Sequence, residues 1–397
     1  MISSSHFHEV AMYWYNRPLQ YLIGRTSNLF GPAIYLPLNT TYFVNDIDLA
    51  RTILMDTEHF SLAHAGGLGY LISEIMGKEA PALFNMEGKK HLILKRSLMG
   101  VFEPTFLNKV VAESLSPEFA TIRPNQEIDL VRLSKLCTSR LSCHMLGMSE
   151  KHESFETLID TVSGLSDDLT RMLSITQVYP SQKQKKHGQA IYKRFCDLIQ
   201  EYYHSKHLPK NSIISRLKHD GVDFDDAKAL LVTLIIAGTE TVANAMPRIA
   251  AIMIDSKKWT HLAQNPQLLP TALSEGLRIT SPAPVIVHGV KRTTTINGIT
   301  FRKNRRVLIM LLNMLRNNAF FENAMEFNLE RNYPPQYKNF WFGAGAHYCL
   351  GAQLANFELS FIYQNLFSLY KHPHIVKRNY ARNTSFPGYS QLTIRNN

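Results

Sequence analysis

One long apolar segment, from about Asp225 to Asp255, constrains the fold of this chain more than any other feature. As a single helix rising 1.5 Å per residue, it would extend roughly 45 Å, well beyond the usual three or four turns. Apolar residues lie on nearly every side of it, so we expect it to cross the interior of the protein. Pro247 lies inside this segment and is expected to kink the helix, because proline has no N–H to donate to the carbonyl of Ala243.

The remaining pattern indicates a mainly α-helical chain with small β-sheets. Helical periodicity dominates residues 89–143, 153–205 and 267–279, and a final long helix is expected from near Leu350. Strand-like segments are expected at about 32–45, 284–312 and 386–396.

Local signals support these elements. Asp46 is a helix-capping residue, and Asn297-Gly298 is a hairpin-turn signal within 284–312. Residues 58–87 are rich in glycine and suggest a long loop with short helices. Because no linker-like segment divides the chain, residues 1–397 are predicted to form one large domain.

Composition narrows the classes of protein further. Charged residues make up 19% of the chain and apolar residues 45%, which excludes a chain disordered throughout, a collagen and a disulfide scaffold. The net charge of +11 suits nucleic acid, an anionic membrane or an acidic protein partner, although a basic surface needs no specific partner. No nucleic-acid-binding motif is recognisable.

Several observations predict a soluble, cytoplasmic protein without a membrane anchor. The four cysteines form no CxxC pair and no zinc-type spacing, which favours a reducing compartment. No signal-peptide pattern opens the sequence. The longest apolar run, 229–238, is about half of the roughly 20 residues that a membrane-spanning helix needs.

The most informative motif is FGAGAHYCLGAQLA, from Phe342 to Ala355. Gly343 and Gly345 permit a tight turn before Cys349. A cysteine at the start of a helix is stabilised as a thiolate, which can act as a nucleophile or a metal ligand. Taken alone, however, a single cysteine in such a turn is more often only structural.

This stretch resembles, position for position, the haem-binding loop of the cytochrome P450 family, FGxGxHxCxGxxLA. The resemblance implies that haem b is the cofactor and that the Cys349 thiolate is the axial ligand of its iron. It further implies that Phe342 packs near the sulfur, that His347 contacts a haem propionate, and that Gly343 and Gly351 belong to the cofactor-binding loop.

A second motif, Ala237-Gly238-Thr239-Glu240-Thr241, resembles the AGx(D/E)T motif of the same family. Glycine within a helix costs roughly 1 kcal/mol relative to alanine, and on its own Gly238 would indicate a close helix crossing. The resemblance implies that Ala237 and Gly238 accommodate the flat haem. It also implies that Glu240 and Thr241 are catalytic and guide protons to iron-bound dioxygen.

A third motif, ExxR, is formed by Glu275 and Arg278, which share one helix face. By itself it would be an ordinary surface ion pair. With Arg331, in a segment resembling the one that donates a second arginine, it is expected to form a buried structural cluster behind the haem. Removing one member of such a cluster is costly.

A fourth, weaker resemblance places His91 and Lys95 at the HxxxR motif that reaches the haem propionates. Lys95 stands where arginine is usual, so the charge remains and the bidentate geometry is lost. His288 aligns with another position where arginine usually binds a propionate; it could equally be an ordinary strand histidine facing the pocket.

The resemblance covers nearly the whole chain and implies a soluble, bacterial-type monooxygenase. Such an enzyme activates dioxygen with two electrons, here supplied by a separate ferredoxin and its reductase, because the chain leaves no room for a flavin or iron–sulfur module. A basic face near Cys349 is a candidate docking site for an acidic ferredoxin; it comprises Lys89, Lys90, Lys95, Arg96 and Lys338.

The substrate is expected to contact four segments: the 60–87 loop, Thr233 to Ala237, Val285-Ile286-Val287, and the 386–392 turn. These segments are largely apolar, so we expect a mostly apolar small molecule, hydroxylated, desaturated or coupled in specialised metabolism. Two alternatives stay open: a peroxide-driven haem-thiolate enzyme and a non-catalytic haem sensor or ligand-binding protein.

Overall fold

Helices make up most of the computed structural model, which describes residues 4–37, 40–77, 83, 86–148, 155–172 and 180–396. Within these residues the α-helices are α1 (Ser4–Asn16), α2 (Pro18–Ser27), α3 (Ile47–Met55), α4 (Leu68–Met76), α5 (Gly88–Met99), α6 (Pro104–Ala120), α7 (Leu130–Leu146), α8 (Phe155–Met172), α9 (Gln182–Tyr203), α10 (Ile213–His219), α11 (Phe224–Asp255), α12 (Trp259–Gln264), α13 (Leu269–Thr280), α14 (Leu311–Leu315) and α15 (Ala352–Leu369). The strands are β1 (Ala33–Leu36), β2 (Thr41–Val44), β3 (Phe60–Ser61), β4 (Ile128–Asp129), β5 (Ile286–Val290), β6 (Thr294–Ile296), β7 (Ile299–Phe301), β8 (Arg306–Ile309), β9 (Pro373–Tyr380) and β10 (Tyr389–Asn396).

The strands form three small sheets within the described residues. One has the order β1-β2-β8-β5-β3, with β2 and β8 parallel; another has the order β4-β10-β9, and β6 pairs with β7. The β6–β7 turn contains Asn297 and Gly298 with φ of 49° and 78°, the left-handed conformations that this tight hairpin requires. The predicted mainly α-helical fold with small sheets is therefore confirmed.

Several predicted boundaries agree with the structure. The predicted helix 225–255 corresponds to α11, and the Asp46 carboxylate caps α3 by accepting a hydrogen bond from the Leu49 N–H at 2.8 Å. The hairpin predicted at 32–45 is formed by β1 and β2, although Asn39 of its turn lies outside the described residues. The final long helix begins at Ala352, two residues later than expected.

Helix α11 crosses the protein interior and packs against α7, α9 and α13. Among the described helices it alone is long and apolar enough to span a membrane, but 61% of its most apolar window is buried inside the protein. Burial on this scale is typical of a core helix.

Pro247 lies inside α11, and the helix continues past it to Asp255. The Ala243 carbonyl, which loses its usual helical donor at this position, accepts a hydrogen bond from the Ser134 hydroxyl of α7 at 2.9 Å. A neighbouring helix therefore replaces the missing hydrogen bond.

Several elements were absent from our sequence-based expectations, among them α1, α2 and β9. Helix α1 is held in place by a buried ion-pair cluster, in which Glu9 Oε2 accepts hydrogen bonds from Arg248 Nη2 at 2.6 Å and Arg316 Nη2 at 2.5 Å. Burial opposes ionisation of Glu9, but the charges of the two arginines outweigh it and lower the pKa of this carboxyl. Arg248 Nη1 also donates to the Pro387 carbonyl at 3.1 Å, so this cluster connects α1 to the 384–387 turn.

Candidate cofactor and substrate site

A largely apolar cavity of about 280 Å³ lies between α11, α4, β5 and the loop that precedes Cys349. The five predicted pocket residues all line it: Thr233, Ala237, Val285, Ile286 and Val287. Apolar side chains of α4 and two residues of the 385–386 turn complete the lining: Leu68, Leu71, Ile72, Ile75, Met76, Ser385 and Phe386. Residues 78–82, 84 and 85 of the predicted 60–87 segment lie outside the described residues. The described segments therefore converge on one cavity suited to an apolar ligand.

One part of this cavity is polar, because His288, Arg306 and His347 also line it. The Nδ1 atom of His288 is buried and has no hydrogen-bond partner among the described residues. Burial, reinforced by the positive character of nearby His347, lowers the pKa of His288 to about 3, so this imidazole is neutral at pH 7. His91 joins the group, since its ring centroid lies 4.5 Å from that of His347.

Arg306 is a site residue that the sequence analysis missed. It is the first residue of β8, whose four residues are all buried, and it pairs with Gly289, the neighbour of His288 on β5. Burial lowers its pKa to about 10, so it remains a cation at neutral pH. An arginine that begins an otherwise apolar strand, RVLI, is the signal that would have identified it.

The turn before Cys349 requires its glycines. Gly343 and Gly345 have φ of 79° and 70°, and a Cβ on Gly345 would lie 2.3 Å from the Leu54 carbonyl oxygen. The turn closes through a 3.1 Å hydrogen bond from the Cys349 N–H to the Phe342 carbonyl. Phe342 and Gly343 line the cavity.

Cys349 is an exposed residue in the turn before α15, which begins three residues after it. Burial by surrounding protein atoms raises the pKa of its thiol above the ordinary value. The Gly351 N–H and the charge of Lys95 act in the opposite direction with smaller effect. A bound metal would add to that opposite effect, since metal ligation releases the proton of a thiol ligand.

Lys95 contacts the cysteine loop directly. Its Nζ donates to the carbonyls of Ala346 at 2.7 Å and Tyr348 at 2.8 Å. Lys95 thereby attaches helix α5 to the cysteine loop at two points, one residue and three residues before Cys349.

Glu240 and Thr241, although adjacent, line different cavities on either side of α11. Thr241 lines the 280 Å³ cavity, and its hydroxyl donates to the Ala237 carbonyl at 2.9 Å. Glu240 lines a second, more polar cavity of about 140 Å³, together with Arg171 and the ion-paired Lys135 and Asp167. The helix therefore separates an apolar chamber from a charged one.

Gly238 faces α7 rather than the large cavity. A Cβ at this position would lie 3.1 Å from the Ser142 hydroxyl of α7. This geometry agrees with a close crossing of α11 and α7, the role that Gly238 would have on its own without the family resemblance. Its neighbour Ala237 does line the cavity.

The ExxR residues, Glu275 and Arg278, are fully buried and form a cluster with a third, partly buried charged residue, Arg331. Arg278 donates to both Glu275 carboxylate oxygens, at 2.8 and 2.9 Å, and Arg331 donates to Oε1 at 2.8 Å. The Tyr333 hydroxyl and the Asn328 N–H complete the shell. Burial opposes ionisation of Glu275, but these hydrogen bonds and charges outweigh it and lower its pKa.

The potential ligand residues around the cavity suit a metal held in a macrocycle better than a metal held by side chains alone. In the described part of the chain no three His, Cys, Asp or Glu residues cluster as a metal site. Cys349 can instead supply one thiolate, while the buried His288 nitrogen and the Arg306 cation suit carboxylates of an organic group. This combination fits haem.

Comparisons with known proteins agree. The family model "Cytochrome P450" matches residues 249–378. A putative cytochrome P450, YjiB of Bacillus subtilis, is 24% identical over 79% of this chain and 80% of its own length. The polyketide biosynthesis cytochrome P450 PksS of Bacillus subtilis is 30% identical over 42% of this chain and 42% of its own length.

Solved structures share the fold over the full length. CYP109B1 of Bacillus subtilis superposes with a TM-score of 0.77 at 22% identity, covering 96% of this chain and 100% of that one. P450BioI in complex with a fatty-acid-ligated acyl carrier protein has a TM-score of 0.79 at 20% identity, covering 97% and 100%. With a family model that matches residues 249–378, its motifs in family order and its fold shared from end to end, the chain has the cytochrome P450 fold and is similar in sequence to bacterial cytochromes P450.

Proposed function

We propose that this protein is a haem-thiolate monooxygenase that oxidises a mostly apolar small molecule with electrons from a separate redox protein. The observation that carries the proposal is the arrangement around α11. An apolar cavity with Thr241 and the Cys349 loop lies on one side, and the charged cavity of Glu240 lies on the other. We further propose that residues 1–397 act as one cytoplasmic domain, supported by a main hydrophobic core that includes residues from Met12 of α1 to Ile394 of β10.

The residues that would hold haem b fall into three groups. Cys349 would ligate the iron, and Phe342, Gly343, Ala237 and His347 would border the ring, as their position around the cavity supports. His91, His288 and Arg306 would meet its carboxylates, with Arg306 supplying the charge that a neutral His288 lacks. Three residues would act on haem indirectly. Lys95 and Gly351 would support the cysteine loop, and Gly238 would allow the close crossing of α11 and α7. When bound, haem would supply dioxygen activation, favoured by the electron-donating thiolate.

The protein's own contribution is water exclusion and proton delivery. The apolar lining keeps water away from the reacting centre. Glu240 would exchange protons with solvent through the charged cavity, and the Thr241 hydroxyl would hold a proton on the cavity side. Because the two residues are adjacent in α11, the helix carries the proton route from one cavity to the other.

Replacing Glu240 with glutamine is expected to lower kcat by about 10²-fold or more, the usual contribution of a positioned acid–base group. The substitution keeps size and hydrogen bonding but removes the titrating carboxyl. Substrate binding, followed by spectral titration, should change little because Glu240 does not line the substrate cavity. Thr241→Ser is the matched control, since it keeps the hydroxyl and should retain most of the activity. An unchanged kcat in Glu240→Gln would contradict this role.

The substrate class can be tested by optical titration of the haem protein. The lining supports an apolar ligand, and related structures carry steroids: CYP109E1 of Bacillus megaterium was solved with testosterone and with corticosterone. PksS, by its name, acts in polyketide biosynthesis, which supports specialised metabolism. We expect high-spin shifts with apolar and weakly polar compounds; shifts confined to highly charged compounds would refute this substrate class.

The electron donor is proposed to be an acidic ferredoxin that docks on the basic face. Lys89, Arg96 and Lys338 are exposed, whereas Lys95 is bound to loop carbonyls and contributes less; the Lys90 side chain lies outside the described residues. Charge-steered docking weakens with ionic strength. The rate of haem reduction by ferredoxin should therefore fall as salt rises, measured by stopped flow. A rate independent of salt would argue against this face.

A turnover assay with different oxidants and electron donors distinguishes the two alternative functions from a monooxygenase. A peroxide-driven enzyme needs no acid–alcohol pair, and a haem sensor needs no proton delivery. The presence of Glu240 and Thr241 supports the monooxygenase. Full turnover with peroxide alone would favour the first alternative, and absence of turnover with every donor would favour the second.

A further inference from the structure

An exposed apolar stripe runs along the outer side of α1, α2 and the turn that follows them. Large apolar side chains are exposed at Phe7 (62%), Leu19 (67%), Leu29 (79%) and Phe30 (64%), and between them at Trp14, Tyr15 and Leu22. These seven residues form what we call the N-terminal apolar face. A patch of this extent on a single surface marks an interaction site rather than chance exposure.

The helical periodicity explains why this face points outward. The inner side of the same helices is buried at Met12, Tyr13, Asn16, Gly24 and Ser27. Phe7 and Trp14 are seven residues apart within α1, and Leu19 and Leu22 are three residues apart within α2; each is the spacing of one helix face. Arg17, between the two helices, has φ of −150° and ψ of 80° and interrupts the helical backbone. Each helix therefore exposes apolar side chains away from its own buried side.

The exposed charged side chains within residues 7–45 and 359–396 are all positive. Glu9 is the one acidic residue between positions 1 and 45, and no acidic residue occurs from 359 to 397. Glu9 is buried beneath Arg248 and Arg316. The C-terminal segment packs beside α1, with the Tyr380 ring stacked 5.3 Å from Tyr15. The border of the face carries exposed cations: Arg25, Lys377 and Arg382.

A small cavity lies beside both α2 and the proposed substrate chamber. It has a volume of about 90 Å³ and is lined by Gln20 and Ile23 of α2 on one side. On the other side it is lined by Pro284, Val285 and Ser385, all of which also line the 280 Å³ cavity. The inner side of α2 therefore lies close to the chamber, while the N-terminal apolar face lines neither cavity.

We propose that the N-terminal apolar face docks on an anionic lipid bilayer. Aromatic and leucine side chains flanked by cations, with no exposed acidic side chain in the described segments 7–45 and 359–396, are what a helix lying in the membrane interface requires. Tryptophan and tyrosine favour the headgroup level of such a membrane. The docking is peripheral, since α1 and α2 lie on the surface and their inner side packs on the core. It does not depend on the proposed monooxygenase activity.

The experiment measures binding of the haem-loaded protein to vesicles made of equal parts phosphatidylcholine and phosphatidylglycerol. Trp14 is a built-in probe, because the other two tryptophans, Trp259 and Trp341, are buried. We expect co-sedimentation with these vesicles, quenching of Trp14 fluorescence by nitroxide-labelled lipid, and loss of this quenching in Trp14→Phe. Binding to pure phosphatidylcholine should be weaker, because the cations then have no anionic partner.

Matched variants distinguish docking through the N-terminal apolar face from nonspecific hydrophobic binding to vesicles. Leu19→Ser combined with Leu22→Ser should weaken vesicle binding by about tenfold or more, because two exposed leucines no longer enter the bilayer. Met99→Ser, which removes an exposed apolar side chain elsewhere, should bind like the parent protein. Both variants change exposed positions, and unaltered circular dichroism would verify their folding.

Three outcomes would overturn the proposal. One is the absence of vesicle binding at low salt. Another is equal weakening by Met99→Ser. The third is concentration-dependent dimerisation that shields Trp14 from quenchers in solution without vesicle binding, since the face would then bind a second copy of the chain.

Discussion

Replacing Cys349 with serine is expected to abolish the Soret band of the reduced, carbon-monoxide-bound protein that is typical of thiolate ligation. The activity should fall to background with it. Serine is close in size but a far weaker ligand for haem iron, and Cys349 is the cysteine in the loop that borders the cavity. Difference spectroscopy of reduced protein with and without carbon monoxide measures this directly.

A cysteine elsewhere in the chain supplies the control. Cys196→Ser changes a half-buried cysteine of α9, outside the candidate site, and should leave the thiolate band intact. If Cys349→Ser kept a thiolate-type spectrum, another residue would have to be the ligand and the central assignment would fail.

Replacing Glu275 with alanine is expected to destabilise the protein by about 3–5 kcal/mol, the usual cost of removing one partner from a buried ion pair. Arg278 and Arg331 would lose their shared carboxylate, while Arg278 stays fully buried. Net stabilities are only about 5–15 kcal/mol, so little folded, haem-loaded protein should accumulate. Urea denaturation of the purified variant provides the measurement.

Two further variants keep this prediction decisive if Glu275→Ala does not fold. Glu275→Gln retains shape and some hydrogen bonds, so it should fold with a lower unfolding midpoint. Glu330→Ala, in the same segment but exposed, should change stability by less than about 0.5 kcal/mol. Equal stability of Glu275→Gln and the parent would show that the charge of this cluster is unimportant.

Local patterns predicted much of this molecule because some elements depend on short-range chemistry. The Asn297-Gly298 turn needs left-handed backbone conformations, which these residue types adopt readily. Gly345 is required by contact with a backbone carbonyl, and α11 is largely apolar because most of it is buried. Each of these signals lies in a few neighbouring residues.

Other features could not be predicted because they depend on pairing between distant segments. Strand β9 is half exposed and lacks a clear apolar alternation; it is placed by pairing with β10. Arg306 faces the cavity because β8 aligns beside β5. Glu9 is a lone acidic residue in the sequence, and only packing brings two arginines to it from α11 and the segment after α14.

The sequence by itself determined the mainly helical fold, the resemblance to the cytochrome P450 family and the residues of the cysteine loop, because these follow from local spacing and turn chemistry. The tertiary structure alone decided which residues share a cavity. It separated adjacent Glu240 and Thr241 into two chambers, turned Gly238 toward α7 and left the outer side of α1 and α2 exposed. The physical reason is that a side chain's surroundings are set by the helices and strands packed against it, and those partners lie hundreds of residues away along the chain.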